Sequence, residues 1–149
     1  MKGGIVTALF AGFVFPLFSA LPAVVYKRAA TLKEINGKVT IQRGESVLTP
    51  KPRDPVMVGD TISTGENSSA GFVFLDGSRI RMGASSSVRV TRYRFALMKK
   101  NCYFDLMVNE GSAIYTSGKI GKLSPDGAIF RTPVASLGIR GAKFKLTVI

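Results

Sequence analysis

The sequence predicts an all-β domain of about nine short, mostly antiparallel strands, in a two-layer sandwich or flattened β-roll behind an N-terminal signal segment. Three observations carry this. Apolar and polar residues alternate with period two, as in Arg79-Ile80-Arg81-Met82. Turn signals rich in Gly, Asp, Asn and Pro recur roughly every ten residues. Beyond the N-terminal apolar run, no stretch shows the 3.6-residue period of an amphipathic helix.

The densest unit runs from Gly59 to Gly83. Thr61 to Thr64 reads as a strand punctuated by Gly59-Asp60 and Gly65-Glu66-Asn67. Phe72 to Leu75 and Arg79 to Met82 then alternate around Asp76-Gly77. That dipeptide predicts a two-residue hairpin of type I′, with positive φ at both central positions. Together these strands form a β-meander.

Upstream, the chain divides in two. Lys2 supplies a positive start, and no charge follows from Gly3 to Tyr26. Ile5 to Phe18 has the length of a signal-peptide core, with Ala23 the best cleavage site. An uncleaved anchor over residues 3–26 is the alternative, opposed by Pro16, Pro22 and the following Lys27-Arg28. Residues 1–23 are therefore read as signal peptide or anchor, 24–32 as a lead-in, and 33–149 as the β domain. In that domain Val39 and Ile41 share one strand face. Glu45 to Pro55, with three prolines, is a loop or edge.

Downstream of the meander, Val88 and Val90 fall out of phase with Tyr93 and Phe95, which predicts a β-bulge near Thr91-Arg92. Tyr103 to Val108 is a strand, Asn109-Glu110-Gly111 a turn, and Ser112 to Ser117 the next strand. Gly118 to Gly127 reads as a loop, before strands at Phe130 to Ala135 and Lys143 to Ile149.

Composition excludes several chemistries. There is no His, so neither a His-based triad nor a His-rich metal site can form. The single Cys102 cannot close an internal disulfide and reads as a small core residue, with an intermolecular bond the alternative. The nine acidic residues mostly stand singly at turns, without the paired spacing of a glycosidase. No glycine-rich phosphate loop precedes a helix. The expectation is a non-catalytic protein with no cofactor and no metal. A formal charge of +12 is read first as keeping a small β domain soluble and blunting its sheet edges. The alternative is attraction to anionic surfaces, which for an exported protein are glycan or lipid rather than nucleic acid.

Four motifs occur in a characteristic order. They are Gly59-Asp60-x-Ile62-x-Thr64-Gly65; Ala70-Gly71-Phe72-Val73-Phe74 running into Leu75-Asp76-Gly77-Ser78; Val108-x-x-Gly111; and Thr132-Pro133-Val134-Ala135 followed by Gly138-Ile139-Arg140-Gly141-Ala142-x-Phe144. In this order the chain resembles the periplasmic FecR domain from about Lys33 to Val148. It departs at Ala142, where the family usually has Thr. The resemblance implies an exported interaction or signalling module whose partner is another envelope protein. Regulators of that family carry a cytoplasmic sigma-binding segment, and only Met1 and Lys2 precede the apolar run here. The expectation is thus a standalone periplasmic domain; the alternative is a structural envelope protein binding anionic glycan or lipid.

The motif residues read as structural. The glycines suit corners needing positive φ or close backbone approach. Asp60 and Asp76 can accept bonds from their own turn amides, and Ser78 follows the second turn. Thr132-Pro133 sets an extended approach. Arg140, between Gly138 and Gly141 in an apolar neighbourhood, needs a carboxylate or several carbonyls, with Asp60 and Asp76 the natural partners; the alternative is that it holds an anionic ligand. A candidate contact face comprises Arg79, Arg81 and Arg89, which project outward if Ile80, Met82, Val88 and Val90 point inward.

Overall fold

The computed structural model describes residues 3–4, 12, 25–96, 98, 101–139 and 143–149; the expected signal segment falls almost wholly outside them. Among these residues, twelve strands make one curled, mostly antiparallel sheet. They are β1 (Arg28–Asn36), β2 (Val39–Arg43), β3 (Ser46–Leu48), β4 (Pro55–Met57), β5 (Thr61–Thr64), β6 (Ser69–Phe74), β7 (Arg79–Met82), β8 (Ser87–Arg94), β9 (Tyr103–Thr116), β10 (Ala128–Arg131), β11 (Ser136–Gly138) and β12 (Lys143–Val148). A short helix, α1 (Lys119–Leu123), and a 3-10 turn at Pro125–Gly127 interrupt them.

The main strand path runs β3-β2-β5-β8-β9-β7-β6-β1-β4. The prolines fall as expected at the margins, since β3 and β4 end the path. Strand β9 holds the two halves together. Its first part pairs with β8, setting Val88 opposite Val108 and Tyr93 opposite Phe104. Its second part pairs with β7 on one side and β12 on the other. On β9 the sheet bends at Gly111, whose φ is +80°.

Curling brings the inner faces together around aromatic side chains. Phe104 packs edge-on against Phe74 at 4.6 Å and tilted against Tyr115 at 5.4 Å, while Phe130 lies 4.7 Å from Tyr115. Such pairs add about 0.5–1.5 kcal/mol each beyond the area they bury. Ile41, Ile62, Ile80 and Met82 fill the core around them. Cys102 is buried at its margin.

Several local expectations change. The lead-in is part of a strand: β1 begins at Arg28 and buries Ala29, Ala30 and Leu32 completely. A register shift between Leu32 and Glu34 breaks its alternation, which hides it in the sequence. Asn109-Glu110-Gly111 is no turn, because Gly111 redirects β9 without reversing it. The Asp76-Gly77 hairpin is not type I′. Positive φ falls on Gly77 (+88°) and not on Asp76, the Gly77 amide donates to the Phe74 carbonyl, and Phe74 N–H donates to Ser78 O. This is the three-residue hairpin closed by a left-handed glycine. The expected bulge in β8 lies between Val90 and Arg92, so that Val88, Val90 and Tyr93 all face the core. The expected loop at 118–127 contains α1, five residues and too short for its period to show.

Candidate functional site

The motif carboxylates are absorbed by the fold. Asp60 is fully buried and receives Nε and Nη2 of Arg43 at 2.9 and 2.7 Å, plus the Met57 amide at 2.8 Å. Those bonds to Asp60 raise the pKa of Arg43 against its partial desolvation. Asp76 is buried without a cation. Its carboxylate accepts four bonds from neutral donors: Ser78 N–H, Ser78 Oγ–H, Tyr93 O–H and the Ile120 amide. Ser78 Oγ also accepts from Gly118 N–H, so one turn fixes β6, β7, β8 and the start of α1. Arg140 and Gly141 lie outside the described residues, and both carboxylates expected to pair with that arginine are engaged as just described.

Other motif residues serve corners. Thr64 Oγ donates to Gly83 O at 2.7 Å and accepts from Ser86 N–H. Gly59 has φ +92°, and the Gly65 amide donates to Lys38 O. Thr132 Oγ accepts from the Val134 and Ala135 amides, closing a tight turn in which Pro133 and Ala135 are exposed. Gly138 departs from expectation: it is exposed at the end of β11, has no positive φ, and has nothing near its missing side chain. Phe144 is half-buried, 5.1 Å from Phe130 and 5.5 Å from Tyr115.

Burial first, and the Asp76 carboxylate second, push the Tyr93 hydroxyl well above its ordinary pKa. Above about pH 10 an unfolded chain releases that proton while the folded chain keeps it, so stability falls as pH rises through this range. Tyr93→Phe should make that alkaline decline shallower in denaturant titrations. It should cost about 2 kcal/mol or more at neutral pH, because the hydroxyl's bond to the Asp76 carboxylate is lost and the Asp76 N–H that it accepts is left unsatisfied. An unchanged alkaline slope would contradict this account.

Among the described residues, the outer face of β1, β6, β7, β9 and β12 offers one candidate surface for other molecules. There a concave groove of about 480 Å³ crosses the sheet, lined among others by Lys33, Arg79, Arg81, Ile114, Thr116 and Lys143. Pairing register builds it in two rows. One runs Lys143, Thr116, Arg79, Val73, Thr31; the other runs Lys145, Ile114, Arg81, Gly71, Glu34. One position out of phase, on the inner face, lie Phe144, Tyr115, Ile80, Phe72 and Leu32. The same alternation that builds the core therefore builds the basic face.

Arg79 and Arg81 project outward together as expected. Arg89 is exposed too, but β8 does not neighbour β7: β9 separates them, and Arg89 sits between Thr61 and Met107 in the other half of the sheet. Although no acid occurs between Gly77 and Asn101, one arrives from β1. Glu34 pairs with Arg81 at 3.0 Å, reaching across β6 where Gly71 has no side chain. Both groups are well exposed, so the pair contributes only about 0–1 kcal/mol. Sequence reasoning missed Lys33, Lys143 and Lys145 as members of this face. The Lys143-Phe144-Lys145-Leu146 alternation was a usable signal for one-sidedness, but pairing β12 with β9 is a long-range event.

The family description FecR protein matches residues 60–148. The chain belongs to the FecR family. The match spans β5 to β12, while β1 to β4 precede it and complete the same sheet. The groove therefore joins FecR-matched strands to β1, which contributes Lys33 and Glu34. Neither curated proteins nor solved structures gave a match. Among the described residues, no group of acidic, His or Cys side chains could hold a metal, and no helix is long and apolar enough to cross a membrane.

Proposed function

We propose that this FecR-family chain is an exported, non-catalytic interaction module of the cell envelope, working in the periplasm and contacting its partner through the cationic groove. The FecR match over residues 60–148 carries the reading. The chemistry of the surface supports it. Among the described residues Glu34 is the one acid lining the groove, so no pair of carboxylates converges there for acid–base work. Asp60 and Asp76 are committed to holding turns. The rest of the reading, signalling through a neighbouring envelope protein, follows from the family resemblance.

Export and interaction are tested separately. A fusion of residues 1–31 to a reporter active only outside the cytoplasm should give signal, and a stably expressed but silent fusion would remove the periplasmic assignment. The chain used as bait on envelope fractions should retain a partner that an unrelated β domain of equal charge does not. Identical capture by both would reduce the interaction to charge alone.

A further inference from the structure

We infer that the groove on the outer face of β6, β7, β9 and β12 is a binding site for a linear anionic glycan, one carrying carboxylate or phosphate groups at intervals along its length. The inference rests on the reading of this domain as a binding module and names the chemistry of what it binds.

The first argument is charge. Arg79, Arg81, Lys143 and Lys145 occupy two adjacent rows, with Lys33 on β1 beside them, against the single acid Glu34. At the end of the first row, Arg28 donates to the Thr31 hydroxyl. The second argument is spacing. Lys143 and Arg79 flank Thr116, and Lys145 and Arg81 flank Ile114, so each pair stands two strands, about 10 Å, apart. The two rows are about 7 Å apart along the strands. A lone phosphate reaches at most part of this array, whereas a chain with repeated anionic groups can engage several cations at once.

The third argument separates a glycan from an acidic peptide. Over β6, β7 and β9 the floor is the face of a sheet whose strands are paired on both sides, so a peptide lying in the groove finds no backbone partners there. Among the described residues the nearest open edge is the far side of β12, outside the floor. A glycan presents hydroxyls that the side chains of Thr31 and Thr116 and water can meet. The fourth argument is shape. The groove admits a chain along its floor, whereas a flat bilayer would meet only the exposed ends of the cations. Arginine forks suit carboxylate and phosphate oxygens alike, so the ionic group remains open between these two.

The test uses the full chain in mild detergent, titrated with polygalacturonate as the carboxylate glycan, and in parallel with a phosphate-bearing teichoic-type polymer, poly-L-glutamate, inorganic phosphate and phosphatidylglycerol vesicles. Binding to at least one glycan is expected, stronger than to the other probes and weakened as salt shortens the Debye length to about 8 Å near 0.15 M. The variant R79Q/R81Q/K143Q/K145Q should lose about tenfold or more in glycan affinity, because four modest contacts disappear together. A control with equal charge change outside the groove, K38Q/K51Q/R89Q/K122Q, should stay within about twofold on the same reasoning. Thr116→Glu, which leaves all four cations in place and sets an anion between Lys143 and Arg79, should also weaken binding. Equal loss in the control, preference for poly-L-glutamate or for vesicles, or no glycan binding would each overturn the assignment. None of those outcomes affects the export and bait experiments, so the site can fail while the module stands.

Discussion

Asp76→Ala should destabilise the protein by about 4 kcal/mol or more, the larger of two effects expected from motif residues. Four buried donors lose their acceptor at once: the Ser78 amide and hydroxyl, the Tyr93 hydroxyl and the Ile120 amide. Each unsatisfied buried group costs about 1–3 kcal/mol, partly relieved where the cavity admits water. Because these donors belong to the β6–β7 hairpin, β8 and α1, the loss should appear as a lower midpoint of the whole denaturation curve and not as local fraying. Asp76→Asn keeps one acceptor oxygen and should fall between parent and alanine variant. An alanine variant within about 1 kcal/mol of the parent would mean that the carboxylate is not the tie described here.

Gly111→Ala should be nearly as damaging, about 3 kcal/mol or more, from two causes that act together. A left-handed residue other than glycine carries a strain of about 1–3 kcal/mol, and φ at Gly111 is +80°. The added Cβ would also stand 2.5 Å from Ser86 Cα and 2.7 Å from Ser85 O, backbone atoms that move only if the β8 entry moves. Ser86 Oγ accepts from the Ser112 amide and shares its proton between Ala84 O and Ser112 O, so displacement there disturbs the contact at the bend of β9. Thermal unfolding checks this directly. Gly138→Ala is the internal comparison: its missing side chain faces open space at ordinary φ, and it should leave the midpoint nearly unchanged. A Gly111 variant as stable as the Gly138 variant would show that β9 does not turn on this residue.

The groove and the core share one origin. On β7, Ile80 and Met82 face inward and Arg79 and Arg81 outward. On β12, Phe144 and Leu146 are half-buried and Lys143 and Lys145 exposed. A substitution that slipped either register by one residue would bury cations and expose apolar side chains together. The basic face is thereby fixed as firmly as the hydrophobic interior behind it.

Alternation along each strand is a local property, and it was legible in the sequence. It placed Ile80, Met82, Val88 and Val90 inside and Arg79, Arg81 and Arg89 outside, and the phase break at Thr91-Arg92 revealed the bulge. Turn composition marked the Asp76-Gly77 reversal, and the order of the motifs pointed to the FecR family that the match over residues 60–148 shows. Which strands become neighbours is not local. That β9 lies between β7 and β8, removing Arg89 from the other two arginines, depends on one long strand serving both halves of the sheet. The partners Arg43 for Asp60, Glu34 for Arg81 and Tyr93 for Asp76 lie 17, 47 and 17 residues away along the chain. No residue spacing encodes these meetings. They form because curling the sheet buries the aromatic cluster, and every polar group caught inside must then find whichever donor or acceptor the curl brings to it.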